Sequence, residues 1–258
     1  SEWHVDGVIV DEESYTVSYH PNGGNGNVPA AVNYMEGASV TVDFSTVPSR
    51  TGYDFLGWNT DESADSPLYP VSTIRNQKFN MPAADVVLYA IWAPKNNTQY
   101  SINHWIQRMN TSGESQADYI QYNETKTRYA VTDSIVKDAD NQEAIPGFVY
   151  QEGIVDGRTE ENVNGDGSTV LNLYYTRRGD LNYKVEYYYN GKRDDAQTER
   201  YYNQVFGTEI DDYEDKNIDG YILEKDTAPI TIGVGDNVIS VYYVKRTDLS
   251  YRVDYYYD

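Results

Sequence analysis

The sequence predicts a mostly β protein with minor α content, built from small modules in tandem. Three observations carry this. Residues 184–190 read KVEYYYN and residues 252–258 read RVDYYYD, each alternating with the period of a strand. The match widens to VLNLYYTRRGDLNYKVEYYY (170–189) against VISVYYVKRTDLSYRVDYYY (238–257), at a constant offset of 68 residues. Turn-forming Gly, Asn and Pro clusters punctuate the chain, and no long amphipathic helical pattern interrupts it. A short helix fits only 117–140 or 208–217.

Taken in order, residues 1–12 read as the tail of a preceding element. A first module spans 13–95. It opens with YTVSYHPNGGNGNVP, a strand and then a turn. TGYDFLGWNTD follows, and KFNMPAADVVLYAIW holds a strand from Val87 to Trp92. PKNNT (94–98) reads as a linker. A second module, 96–179, is a distant copy of the third. YSINHWIQ (100–107) takes the place of YKVEYYYN (183–190), and IPGFVYQE (145–152) that of IDGYILEK (218–225).

In the third module, 180–247, alternation turns Tyr183, Val185, Tyr187 and Tyr189 inward and Lys184, Glu186, Tyr188 and Asn190 outward. Asn190-Gly191 is a two-residue hairpin signal, because both residues tolerate positive φ. On the closing strand Ile239, Val241 and Tyr243 point inward, Ser240 and Tyr242 outward. Residues 248–258 read as the first strand of a further repeat, with Tyr251, Val253, Tyr255 and Tyr257 inward. Few contacts are expected across the polar joints PKNNT and TRRGD (176–180), which predicts an elongated array.

Composition narrows the function. The 258 residues carry a formal charge of −21, spread along the chain. Such a surface repels nucleic acid and anionic lipid heads. There is no cysteine, which excludes disulfides, thiolate catalysis and Cys-ligated zinc. No apolar run approaches the roughly 18 residues of a membrane span. With 27 tyrosines the chain is too aromatic to be an acidic disordered segment.

His4, His20 and His104 lack metal-ligand spacing, and no nucleophile, zinc or phosphate-loop motif is present, so no catalytic residues are assigned. Asp215, Asn217, Asp219 and Asp226 occupy oxygen-ligand positions of a calcium loop, with Gly220 near its sharp turn. The competing reading is a polar turn, where Asp, Asn and Gly are favoured anyway. Trp105, Tyr188 and Tyr256 share one position in three repeat openings. Tyr174 and Tyr242 are expected outward on the closing strands, Trp105 near Tyr174 and Tyr188 near Tyr242. Flat aromatic pairs on an open face suit stacking on sugars or packing on a protein. They also suit plain cross-strand stabilisation of a thin module.

Residues 15–92 resemble the Listeria–Bacteroides repeat, the B repeat of internalin-type surface proteins. The resemblance rests on Tyr15–Gly24, Gly52-Tyr53, Phe55, Gly57-Trp58, Phe79, Met81-Pro82, Asp85, Leu88-Tyr89 and Trp92. Residues 96–246 resemble two mucin-binding-protein (MucBP) repeats, through the Tyr-rich opening strand, Gly220-Tyr221 and the closing strand at 241–243. These resemblances imply β-grasp, ubiquitin-like modules on Gram-positive surface proteins, often anchored to the cell wall, without enzymatic activity. They imply mucin or a host glycoprotein as partner and an extracellular place, with no nucleic acid and no membrane insertion. The chain would then be a monomeric fragment of a longer adhesin. A spacer stalk and an accessory region of an extracellular enzyme are the alternatives.

Overall fold

The structure, a computed structural model, describes residues 13–73 and 77–256. The tail assigned to residues 1–12 and the inward position of Tyr257 lie outside them. Packing divides the chain into two units. One takes residues 1–101, 127–136 and 161–170; the other takes 102–126, 137–160 and 171–258.

Unit one contains β1 (Ser14–His20), β2 (Val32–Met35), β3 (Ser39–Thr41), β4 (Tyr53–Asn59), β5 (Tyr69–Pro70), β6 (Lys78–Asn80) and β7 (Val86–Pro94). Five of these form a sheet of order β2-β1-β7-β4-β5, and β3 pairs with β6. β1 and β7 run parallel from Val17↔Val86 to His20↔Tyr89. The core gathers Val17, Val40, Trp58, Met81 and Leu88. Trp58 is fully enclosed, with the rings of Tyr19 and Phe55 edge-on at 4.9 and 5.1 Å. Gly57 before it is obligatory: its φ is +141°, and a Cβ there would stand 2.1 Å from the Tyr69 carbonyl oxygen.

The linker reading of PKNNT is corrected. β7 runs through Pro94, and the chain beyond it is bonded. The Lys95 amide donates to the Gly52 carbonyl (2.9 Å), and the Thr132 amide to the Lys95 carbonyl (2.9 Å). The Thr132 hydroxyl donates to the Gly52 carbonyl (2.8 Å) and pairs with the Thr98 hydroxyl (2.7 Å). Gly52 packs so closely that a Cβ would meet the Gly165 Cα at 2.3 Å. Backbone polar groups that leave water need partners, and here two glycines let the chains approach near enough to supply them.

The remaining strands are β8 (Thr98–Gln107), β9 (Tyr119–Ala130), β10 (Ile135–Lys137), β11 (Phe148–Tyr150), β12 (Glu160–Asn162), β13 (Val170–Arg177), β14 (Leu181–Tyr189), β15 (Lys192–Arg193), β16 (Glu199–Gln204), β17 (Glu209–Ile210), β18 (Tyr221–Asp226), β19 (Ile230–Thr231) and β20 (Val238–Lys245). One sheet has the order β11-β13-β8-β9 and another β15-β14-β20-β18, with β16 also on β14; β10 pairs with β12 and β17 with β19. β14 and β20 are parallel over six pairs, Lys184↔Val238 to Tyr189↔Tyr243. Their inward residues Tyr183, Val185, Tyr187, Ile239, Val241 and Tyr243 form the core with Leu181 and Ile232. Asn190 (φ +48°) and Gly191 (φ +78°) make the two-residue hairpin that sets Tyr188 opposite Arg193.

Four expectations change. Helical structure is limited, among the described residues, to four one-turn 3-10 segments, two of which, Gln116–Asp118 and Asp138–Asp140, fall within 117–140 or at its edge. YIQYNETKTRYA there is strand β9, and 208–217 holds β17 and irregular chain. The TRRGD joint is packed. The Arg178 amide donates to Gly147 and the Phe206 amide to Arg178 (2.9 and 2.8 Å), while the Phe206 ring occupies the space a Gly147 Cβ would need, 2.5 Å away. Glu186 is buried, at 6% exposure, by the cations around it. Residues 249–256 form no strand, and Tyr251 is 89% exposed, since no neighbouring strand among the described residues pairs with them.

Candidate functional aromatic faces

Each of the two closing strands of unit two presents an aromatic pair. On β14 and β20, Tyr188 and Tyr242 are register partners. Their rings stack at 4.7 Å and 21°. The row extends across four strands: Arg193 of β15 opposes Tyr188, and Lys225 of β18 opposes Tyr242 with its ammonium 5.1 Å from the ring centroid. Beneath the row Glu186 accepts from the Tyr188 hydroxyl (2.9 Å), Lys184 Nζ (2.7 Å) and an Arg193 nitrogen (3.1 Å). The Lys184 bond, against the opposing effect of burial, holds the Glu186 carboxyl below its usual range, and the same carboxylate raises the Tyr188 phenol. Both residues are half-buried.

The pair on β8 and β13 is different. Trp105 and Tyr174 lie stacked at 6.4 Å and 18°. Trp105 Nε1 donates to Asn172 Oδ1 (2.9 Å), and Asn103 bonds the same oxygen (3.1 Å) and accepts from Thr125 (2.7 Å). Tyr174 does not stand open as expected. It is 6% exposed, because the Tyr119 ring closes on it edge-on at 5.0 Å and its hydroxyl donates to Gln116. Trp105 alone of this pair is half-exposed. Tyr256, the third expected member, is 92% exposed and outside any strand.

The acidic segment is placed as follows. Asp215 accepts from the Tyr243 hydroxyl, and Asp226 from the Tyr213 hydroxyl (2.8 Å) and the Ala228 amide (2.9 Å). Asn217 and Asp219 are exposed. Among the described residues no group of three or more His, Asp or Glu side chains is arranged to hold a metal ion. His104 is buried; its Nδ1 bonds the Tyr175 hydroxyl (3.1 Å), its Nε2 lies 3.7 Å from Glu143, and Lys126 pairs with that Glu143. Burial first, then the Lys126 charge, depresses its pKa. Sequence reasoning missed Arg193 and Lys225 as parts of the face, and placed Glu186 on it without its burial. The Asn-Gly hairpin carried the signal for Arg193, since a two-residue turn fixes which residues oppose one another.

Comparison with known proteins bears most directly on residues 15–91. A protein of Evansella cellulosilytica described as a Gly-rich membrane protein is 37% identical over 81 residues, which is 31% of this chain and 9% of that protein. The chain therefore corresponds to a small part of that relative. Streptococcal High Identity Repeats in Tandem (SHIRT) domains 3–4 of a cell surface protein overlay 57% of this chain and 98% of their own, at 12% identity and a TM-score of 0.20, a level that defines no shared fold. Residues 15–91 match the family model of the Listeria-Bacteroides repeat domain, so that a mostly β, repeat-built chain carries a repeat of this type at its first sheet.

Proposed function

We propose that the chain is a non-catalytic segment of a bacterial surface adhesin, and that its modules contribute to binding mucin or another host glycoprotein. The observation that carries this reading is the stacked Tyr188–Tyr242 pair, both residues half-buried, on the outward side of β14 and β20. Rings held flat by a sheet need no ordering to receive a sugar, and a binder that is already ordered loses little entropy on binding. In this reading the modules are 13–95, 96–179 and 180–247, with 248–258 opening another. The last two are MucBP repeats, and each module is a β-grasp. Support for the β-grasp comes from the order of the first and third sheets, whose opening and closing strands are central, adjacent and parallel. The protein works outside the cell, tied to the wall through its full-length form. Retention on immobilised mucin tests this. Wild type is expected to be retained, and Tyr188→Ser and Tyr242→Ser to keep their circular dichroism and lose retention. Equal retention of all three removes the face from the reading.

A structural spacer is the second reading, favoured by the bonded joints at Gly52 and Gly147. It expects no retention on mucin by any variant.

A further inference from the structure

The chain is acidic throughout, yet the outer face of the third sheet is not. Lys184, Arg193 and Lys225 surround Tyr188 and Tyr242, and Arg200 stands opposite Lys184 on β16. Tyr202, two residues along from Arg200 and 64% exposed, adds a third ring to this side. Glu186 is consumed by Lys184 and Arg193, and Asp195 by Arg193 (2.6 Å). Arg200 and Lys225 have no ion-pair partner among the described residues. Meanwhile Glu209, Asp211, Asp212 and Glu214 lie on the segment that packs over Tyr183 and Tyr201, on the opposite face. The module is thus polarised: carboxylates on one side, and on the other aromatic rings with paired cations at Lys184 and Arg193 and unspent ones at Lys225 and Arg200.

We infer that the Arg193–Tyr188–Tyr242–Lys225 row binds an acidic oligosaccharide, one whose sugars carry a carboxylate or a sulfate. This rests on the adhesin reading and deepens it. The rings supply flat surface for sugar rings, and the ammonium of Lys225, which no carboxylate among the described residues pairs with, meets the anionic group at one end of the row. Three inter-strand spacings separate the row's ends, about 14 Å. That is the length of a short run of sugars laid across the strands. The Trp105 face, ringed by Asn103, Asn172 and Thr125, carries no such charge and has no basis for the preference.

The whole chain is titrated by calorimetry with sialyllactose, sulfolactose and lactose, at low and at physiological salt. Binding of sialyllactose or sulfolactose at least tenfold tighter than lactose is expected, weakening with salt. The two acidic sugars tell carboxylate from sulfate. Lys225→Gln, exposed and outside the core, is expected to cost about fivefold in affinity for the acidic sugar and less than about twofold for lactose, whereas Arg200→Gln, on the same side but outside the row, is expected to change neither. Binding of lactose as tight as of its acidic forms overturns this inference and leaves the adhesin reading standing. So does unchanged affinity for the acidic sugar in Lys225→Gln. Equal binding of a polyglutamate peptide overturns the sugar specificity in favour of an acidic protein. If no sugar binds and mucin is not retained, both readings fall together.

Discussion

Four phenol hydroxyls in and around the third sheet donate to four different carboxylates. Tyr188 donates to Glu186 (2.9 Å), Tyr201 to Glu199 (2.9 Å), Tyr213 to Asp226 (2.8 Å) and Tyr243 to Asp215. This is one reason that so acidic a chain carries so many tyrosines: a ring fills the small core while its hydroxyl satisfies an anion at the rim. Position on the strand then decides what each tyrosine contributes. Val185→Ala or Val241→Ala opens a cavity among fully buried side chains and is expected to cost about 2 kcal/mol. Tyr188→Ser or Tyr242→Ser loses a half-exposed cross-strand pair and is expected to cost about 1 kcal/mol or less. Urea titration of the four variants checks the ordering, and equal losses would mean that the outer face is covered. His104 yields a pH prediction. Its folded pKa lies below its usual value, so the neutral ring's contribution is complete above about pH 6.5 and is lost as pH falls through the folded value. His104→Gln is therefore expected to be less stable than wild type at pH 7, with the gap narrowing in acid. A gap that does not change with pH would show that the buried ring does not titrate with folding.

At the scale of elements, much was legible in the sequence and some was not. Strand β14, its inward tyrosines and its hairpin follow from two-residue alternation and from Asn-Gly, both local signals. The pairing of Trp105 with Tyr174 and of Tyr188 with Tyr242 also followed, once opening and closing strands were taken as neighbours. The burial of Tyr174 did not follow. It depends on Tyr119 and Gln116, which alternation on β13 says nothing about. The joints were misread for the same reason. Polar composition marked PKNNT and TRRGD as loose, whereas Gly52, Gly165, Phe206 and Gly147 bind them from far along the chain. The glycine pattern supplies a test. At Gly52 a side chain meets both a positive φ of +80° and the backbone of Gly165. At Gly26 φ is +90° but the space is open. Gly26→Ala is expected to cost about 1 kcal/mol for the backbone alone. Gly52→Ala, and Gly147→Ala against the Phe206 ring, are expected to exceed that by at least another 1–3 kcal/mol. Similar melting temperatures for all three variants would show that the joints are not tight.

Over the whole molecule the dominant quantity is charge. A formal −21 on 258 residues opposes the compact state by self-repulsion. Added salt screens it, with a Debye length of about 10 Å at 0.1 M. The apparent melting temperature is expected to rise with sodium chloride, by about 3 °C for each kcal/mol of repulsion relieved. Calcium chloride at equal ionic strength is expected to do no more, because Asp215 and Asp226 are bonded to different tyrosines and no metal-holding cluster is found among the described residues. An excess rise in calcium that Asp219→Ala abolishes would instead assign residues 215–226 as a calcium loop.

The parallel pair β14 and β20 also fixes how the third sheet answers to tension. β14 enters the sheet at Leu181 and β20 leaves it at Lys245, and six register pairs join them side by side in the same direction. A pull on those two residues drags one strand lengthwise past the other. Every inter-strand bond then bears load together, and none can open ahead of the rest. Tyr221 and Lys245 are different: they face each other at one end of an antiparallel pair, so pulling there peels β18 from β20 one bond at a time. Forced unfolding is governed by the barrier to opening rather than by equilibrium stability. Optical-trap handles at Leu181 and Lys245 should therefore register a rupture force several times that with handles at Tyr221 and Lys245, although the folded protein is the same in both experiments.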